Sequence, residues 1–91
     1  MLDIILSNQF RKDLKLAVKR GYSLELLDEV VDNLARQERL ADKYRDHALS
    51  GKYAGFRECH IQPDWLLIYR VENKALILFL TRTGTHSDLF D

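Results

Sequence analysis

Apolar positions along this chain keep a helical period through its first third and a strand-like alternation through its last, with a polar interval between. The opening "DIIL" (Asp3–Leu6) is short, rich in β-formers and bounded by Ser7-Asn8, which predicts a strand. Ser7 is a suitable N-cap for a helix carrying Phe10, Leu14, Ala17 and Val18 on one stripe, and Gly21 is its stop. Ser23 restarts a helix whose Leu26, Leu27, Val30, Val31 and Leu34 face inward. The short connection predicts an antiparallel helix pair. Periodicity is lost over residues 38–54, a stretch long for a loop in so small a domain, and loops of that length are disproportionately functional.

Three strands are predicted after that interval, over residues 56–61, 65–71 and 75–83. Pro63 separates the first two, and Glu72-Asn73-Lys74 turns between the second and third. The terminal "TGTHSDLF" closes the chain as a short helical turn. In the first of these strands Cys59 and Ile61 point one way, while Phe56, Glu58 and His60 point the other. If the helices cover the Cys59 side, His60 looks out from the opposite, open side. The other two strands are apolar on both faces, as central strands are. The predicted architecture is α+β: an N-terminal strand, a two-helix hairpin, then a three-stranded antiparallel meander, with about four strands in the sheet and helices on one face.

Composition narrows the class. Ninety-one residues that are 46% apolar, with one proline and four glycines, suit one folded domain spanning residues 1–91. No apolar run approaches the roughly 18 residues that a membrane helix requires. The N-terminus carries Asp3 and no basic segment, so it does not read as a secretory signal. A lone cysteine excludes an internal disulfide and fits a reducing, cytoplasmic setting; its plain role is that of a small buried hydrophobe. Fourteen basic and fourteen acidic side chains cancel, so no overall field draws nucleic acid. The charges are segregated, however. The first helix holds Arg11, Lys12, Lys15, Lys19 and Arg20 against Asp13 alone, and the second holds Glu25, Asp28, Glu29 and Asp32 with no base. Two mutually attracting solvated faces explain this as well as a phosphate footprint does.

His47, His60, Asp64 and His86 are candidate proton-transfer groups at strand ends and in loops, and Arg57 and Arg82 occupy nearby strand positions. Histidine both takes and gives a proton near neutrality, and arginine holds phosphate with paired hydrogen bonds. Together they suit metal-independent RNA cleavage, because RNA carries its own nucleophile in the ribose 2′-hydroxyl. Each residue also has a plain structural reading. His47 could bond to nearby backbone, His60 could fill a solvated strand position, Asp64 could be a turn residue, and His86 could cap the last turn. Trp65, Tyr69 and Phe90 read most simply as core. Three histidines and an aspartate could also bind zinc, although no close His-x-x-x-His pair anchors such a site.

The ordered set "DHALSGKYAGFRECHIQPDWLLIYRV" followed by "TRTGTHSDLF" resembles the RelE/ParE superfamily of bacterial toxins, specifically its YafQ-like branch. The resemblance rests on D-H-x-L-x-G, then R-x-x-H-x-x-P-D-W-x-L-I-Y, then R-x-G-T-H-x-x-L-F. It implies a RelE-like, microbial-RNase-like fold and ribosome-dependent cleavage of mRNA without a cofactor. It also implies a cognate antitoxin, with promoter DNA bound only through the toxin–antitoxin complex and no membrane partner. The family's catalytic positions fall on His47, His60, Asp64 and His86, with the C-terminal aromatic at Phe90. The resemblance makes His86 the general acid and the His47/His60/Asp64 group the base and its positioning residues. Phe90 would stack on the base beside the scissile bond, and Arg82, with Arg57, would stabilise the phosphate. Lys43, Arg45, Lys52 and the basic first helix would have to supply ribosome and RNA contacts in an otherwise neutral chain. Two other readings stay open: a ParE-like gyrase poison, and an inactive antitoxin-binding co-repressor.

Overall fold

A computed structural model describes residues 1–90. Its order is β1 (Asp3–Leu6), α1 (Asn8–Lys19), α2 (Leu24–Ala35), β2 (His47–Ala48), β3 (Arg57–Gln62), β4 (Trp65–Glu72), β5 (Ile77–Gly84) and α3 (His86–Phe90). The predicted strand, helix pair, meander and terminal turn are all present. The sheet runs β1-β5-β4-β3-β2, with β1 parallel to β5 and every other pair antiparallel.

Local chemistry explains the helix ends. The Ser7 hydroxyl accepts the Phe10 N–H at 2.9 Å and donates to the Thr81 carbonyl at 2.7 Å, so one side chain caps α1 and ties it to β5. Beyond α1, Gly21 (φ +81°) lets the Tyr22 N–H reach the Ala17 carbonyl and its own N–H reach Val18, closing a Schellman motif. The same closure ends α2 with Gln37 (φ +59°) at the left-handed position. Phe10, Ala17, Leu27, Val30 and Leu34 pack on Cys59, Ile61, Trp65, Leu67, Tyr69, Leu78 and Leu80. This is the main core, and it occupies the Cys59 side as the alternation requires.

Four expectations need correction. Val18 is 53% exposed and does not join the inward stripe of α1, because that helix buries only a narrow line through Phe10 and Ala17. The sheet has five strands, since His47-Ala48 pairs with Glu58 and Arg57 inside the supposed loop. The third meander strand starts at Ile77, not residue 75: its register pairs Glu72 with Ile77, and Leu76 lies at φ +56° in the turn. Finally, the face away from the helices is only partly open. Leu66, Ile68 and Leu89 form a second, smaller core there, flanked by Leu49, Tyr53 and Phe56. The polar interval and the terminal turn thus cover one half of that face and leave the other half for the site. Burial of a leucine contributes about 1.5–3 kcal/mol, so Leu89, 3% exposed, anchors a five-residue helix too short to persist alone.

Candidate active site

The β3 alternation puts Glu58 and His60 on the face away from α1 and α2. The β2–β3 register sets His47 directly across from Glu58, so two imidazoles flank one carboxylate. His47 Nδ1 lies 2.7 Å from the Arg45 carbonyl, and His60 Nδ1 lies 3.2 Å from the Pro63 carbonyl. A carbonyl only accepts, so each neutral ring carries its hydrogen on Nδ1 and presents a lone pair at Nε2. Both Nε2 atoms face Glu58 Oε1, at 3.7 Å for His47 and 3.5 Å for His60. Glu58 is 4% exposed, and its Oε2 is the one buried side-chain polar atom among the described residues with no partner. A proton on either ring, or a cation between them, would pair with Oε1 and offset the buried charge.

Asp64 follows Pro63 in the β3–β4 turn and reaches α3. Its Oδ1 accepts the His86 backbone N–H at 3.0 Å and lies 2.6 Å from His86 Nδ1. The first of these contacts, and then the ring, hold the Asp64 carboxyl below its usual range. The pairing also directs His86 Nε2 away from Asp64, toward any ligand on this face. The His60 ring is 5.6 Å from that of His86 and 6.4 Å from that of His47, centroid to centroid. The turn carrying Asp64 is rigid because Trp65 Nε1 donates to the Thr83 hydroxyl at 2.9 Å, which donates to the Leu66 carbonyl at 2.7 Å, all in the core. Tyr69 is core too, except that its hydroxyl donates to Asp46 and pins the segment leading into His47.

The remaining candidates divide. Phe90, 45% exposed, meets the Tyr53 ring edge-on at 5.8 Å and leaves a face available for stacking. Arg82 reaches the same side, but its Nε and Nη2 are held by Asp13 of α1 at 2.8 and 3.1 Å, which raises its already high pKa. Arg57 does not join the cluster: it lies across from Tyr69 on the helix-side face and pairs with Asp46. Lys43 and Arg45 line a cleft of about 620 Å³ that reaches from Leu26 and Glu29 of α2 to His60 and Pro63 at the sheet edge, and Lys52 lies over the Tyr53 ring near Phe90. Glu58, Asp46 and Asp13, which contact these residues, are not among the candidates that the sequence offers. Only Glu58 had a sequence signal, as an acid in a strand on the His60 side.

One oxygen or nitrogen from each of Glu58, His60 and His86 falls within 4.8 Å of the others. Two imidazoles and a carboxylate are a usual three-ligand set for zinc and also suit copper. The fold therefore creates the histidine pair that the sequence spacing lacks. An ion held there would take a ring-nitrogen lone pair from each of the two histidines.

Architecture and site define a class, the small bacterial toxins. The structure superposes on a metal-bound toxin from Helicobacter pylori with a TM-score of 0.94 and 52% identity, over 99% of this chain and all of that one. It also matches the toxin of the Escherichia coli DinJ-YafQ complex with a TM-score of 0.90 and 39% identity, over the full length of both chains. In sequence it is 42% identical over 89 residues to the mRNA interferase toxin YafQ of Escherichia coli K12, covering 97% of this chain and 95% of that protein. A putative toxin YafQ from Haemophilus influenzae is 33% identical over 91 residues, covering 94% and 89%. Residues 2–91 match the model of the YafQ family, bacterial toxins of type II toxin-antitoxin systems, and the chain belongs to that family.

Proposed function

We propose that this protein is the toxin of a type II toxin-antitoxin pair, an endonuclease that cuts mRNA on the translating ribosome. The observation that carries the reading is the convergence of three imidazoles and two carboxylates, from β2, β3, the Pro63 turn and α3, around one half-open face. His60 Nε2, with His47 and Glu58 beside it, takes the proton from a ribose 2′-hydroxyl. The resulting oxygen attacks the adjacent phosphorus, and the P–O5′ bond breaks. His86, held at Nδ1 by Asp64, gives a proton from Nε2 to the departing 5′-oxygen. The products are a 2′,3′-cyclic phosphate and a 5′-hydroxyl end. Arg82 Nη1 neutralises charge developing on the phosphate, and Phe90 stacks on the neighbouring base.

Zero net charge supports a division of labour in which the ribosome supplies most substrate positioning and Lys43, Arg45 and Lys52 add local contacts. A cognate antitoxin would neutralise the toxin, and promoter DNA would be bound only by the pair. The same neutrality favours the alternative of an inactive co-repressor. The cluster itself argues against a gyrase poison, which needs no proton-transfer groups.

Induced expression with and without the neighbouring antitoxin gene, read by growth and by primer extension of mRNA ends, separates these. Cuts inside translated codons that disappear in His86→Ala, with a rate loss of at least the 10²–10⁴-fold typical of an acid–base group, support the nuclease. DNA damage without mRNA cuts supports the gyrase poison, and unchanged growth with antitoxin-dependent repression supports the co-repressor.

A further inference from the structure

We propose that Arg20 and Asp88 are positioning residues for the cleavage step: helix α1 grips α3 through this pair and so sets where His86 stands. The inference rests on the nuclease reading of the site. Arg20, at the C-terminus of α1, donates from Nη1 to Asp88 Oδ2 at 2.6 Å and from Nη2 to Oδ1 at 3.2 Å. This two-point bond joins residues 68 apart in sequence. Asp88 also accepts the Thr85 N–H at 2.9 Å, while its own N–H reaches the Thr85 hydroxyl at 3.1 Å, so it closes the N-terminal cap of α3. His86 lies inside that capped turn.

A separate feature agrees. A Cβ placed on Gly84 would fall 2.9 Å from both the Cβ and Oδ2 of Asp88, so the carboxylate reaches Arg20 only by passing over a bare glycine. A second ion pair of reversed polarity lies alongside. Asp13 of α1 takes Arg82 and the Thr83 N–H at the end of β5. Both pairs line one polar cleft of about 250 Å³ between α1 and the last turn of the chain. Leu89 fixes the depth of α3 and Asp64 holds its first residue at the His86 N–H; the two-bond planar fork to Arg20 is the second fixed point that stops α3 rotating about that contact. Misplacing a proton donor by an ångström costs on the order of 10²-fold in rate.

The test uses the full chain in a reconstituted translation reaction, with Arg20→Met, Arg20→Lys, Asp88→Asn and the Arg20→Met/Asp88→Asn double variant. The expected result is a fall in kcat of about 10- to 100-fold for Arg20→Met, with KM for the programmed ribosome within about twofold of wild type. Arg20→Lys should fall between, since an ammonium makes a point contact and not a fork. The double variant should be little worse than either single one, because the pair acts as a unit. The imidazole NMR signals of His86 should shift in Arg20→Met while those of His47 hold. That readout is independent of cleavage. Wild-type kcat and unmoved His86 signals in Arg20→Met, or fully multiplicative losses in the double variant, overturn the proposal. Should Arg20→Met not fold, Asp88→Asn, which keeps an acceptor for the Thr85 cap, decides by the same criteria. His86→Ala is run in parallel. Full activity in that variant sinks the nuclease reading itself, whereas its inactivity beside a fully active Arg20→Met sinks only the clamp.

Discussion

Replacing Glu58 by glutamine should make the protein more stable and less active at once. Glu58 is almost wholly buried, its Oε2 has no partner, and its Oε1 faces two imidazole nitrogens that are lone pairs in the neutral rings. A buried polar group without partners costs roughly 1–3 kcal/mol, and more when charged; the histidines offset part of that when one carries a proton. Glutamine keeps the volume, removes the charge, and offers N–H groups that donate to the Nε2 atoms of His47 and His60. A net gain of about 1 kcal/mol is expected, which for a domain of this size raises Tm by about 4–8 °C. Catalysis moves the other way. The carboxylate oxygen 3.5 Å from His60 Nε2 is gone, and a loss of at least about 10-fold in kcat follows, toward the 10²-fold expected for an acid–base partner. Thermal melts and cleavage rates on the same preparation check both arms, with Glu58→Ala as the control that leaves a cavity and loses stability. A Glu58→Gln protein that melts lower than wild type and cuts at the wild-type rate refutes the reasoning.

Three further outcomes are expected. Phe90→Ala should weaken cleavage by the about 1–3 kcal/mol of one base-stacking contact and shift Tm little, because the ring is nearly half exposed; steady-state kinetics beside melts check this. Added Zn²⁺ or Cu²⁺ should inhibit by occupying Glu58, His60 and His86, with recovery on chelation and weaker inhibition of Glu58→Gln; stimulation of cleavage by the ion would count against metal-free acid–base chemistry. The Asp88 carboxyl titrates below its unfolded value of about 3.9, so its contribution is whole above that pH and is lost as pH falls toward the lower folded value. The Tm gap between wild type and Arg20→Met should therefore narrow steadily below about pH 4, measured by melts across an acid series.

Local signals carried most of the architecture. Ser7 and Gly21 mark the ends of α1 because a cap and a left-handed residue act within a few positions of themselves. Alternation separated Cys59 from His60 because side chains in a strand change face at every step. Alternation does not exclude Ala75 and Leu76 from the third strand, because a turn can take apolar residues when cross-strand register demands it. The family motif supplied His47, His60, Asp64 and His86 as a set, but nothing in their spacing says which touch.

What the chain order determined by itself is therefore the elements, the face each side chain takes, and the types of chemistry on offer. Only the tertiary structure decided the partnerships. It brought His47 beside Glu58 through strand register, Asp64 onto His86 across 22 positions, and Asp88 onto Arg20 across 68, and it turned Arg57 away from the site. Periodicity and capping depend on neighbours in sequence, whereas ion pairs and proton relays depend on distances of a few ångströms between remote segments, and those distances exist only after the sheet and helices have packed.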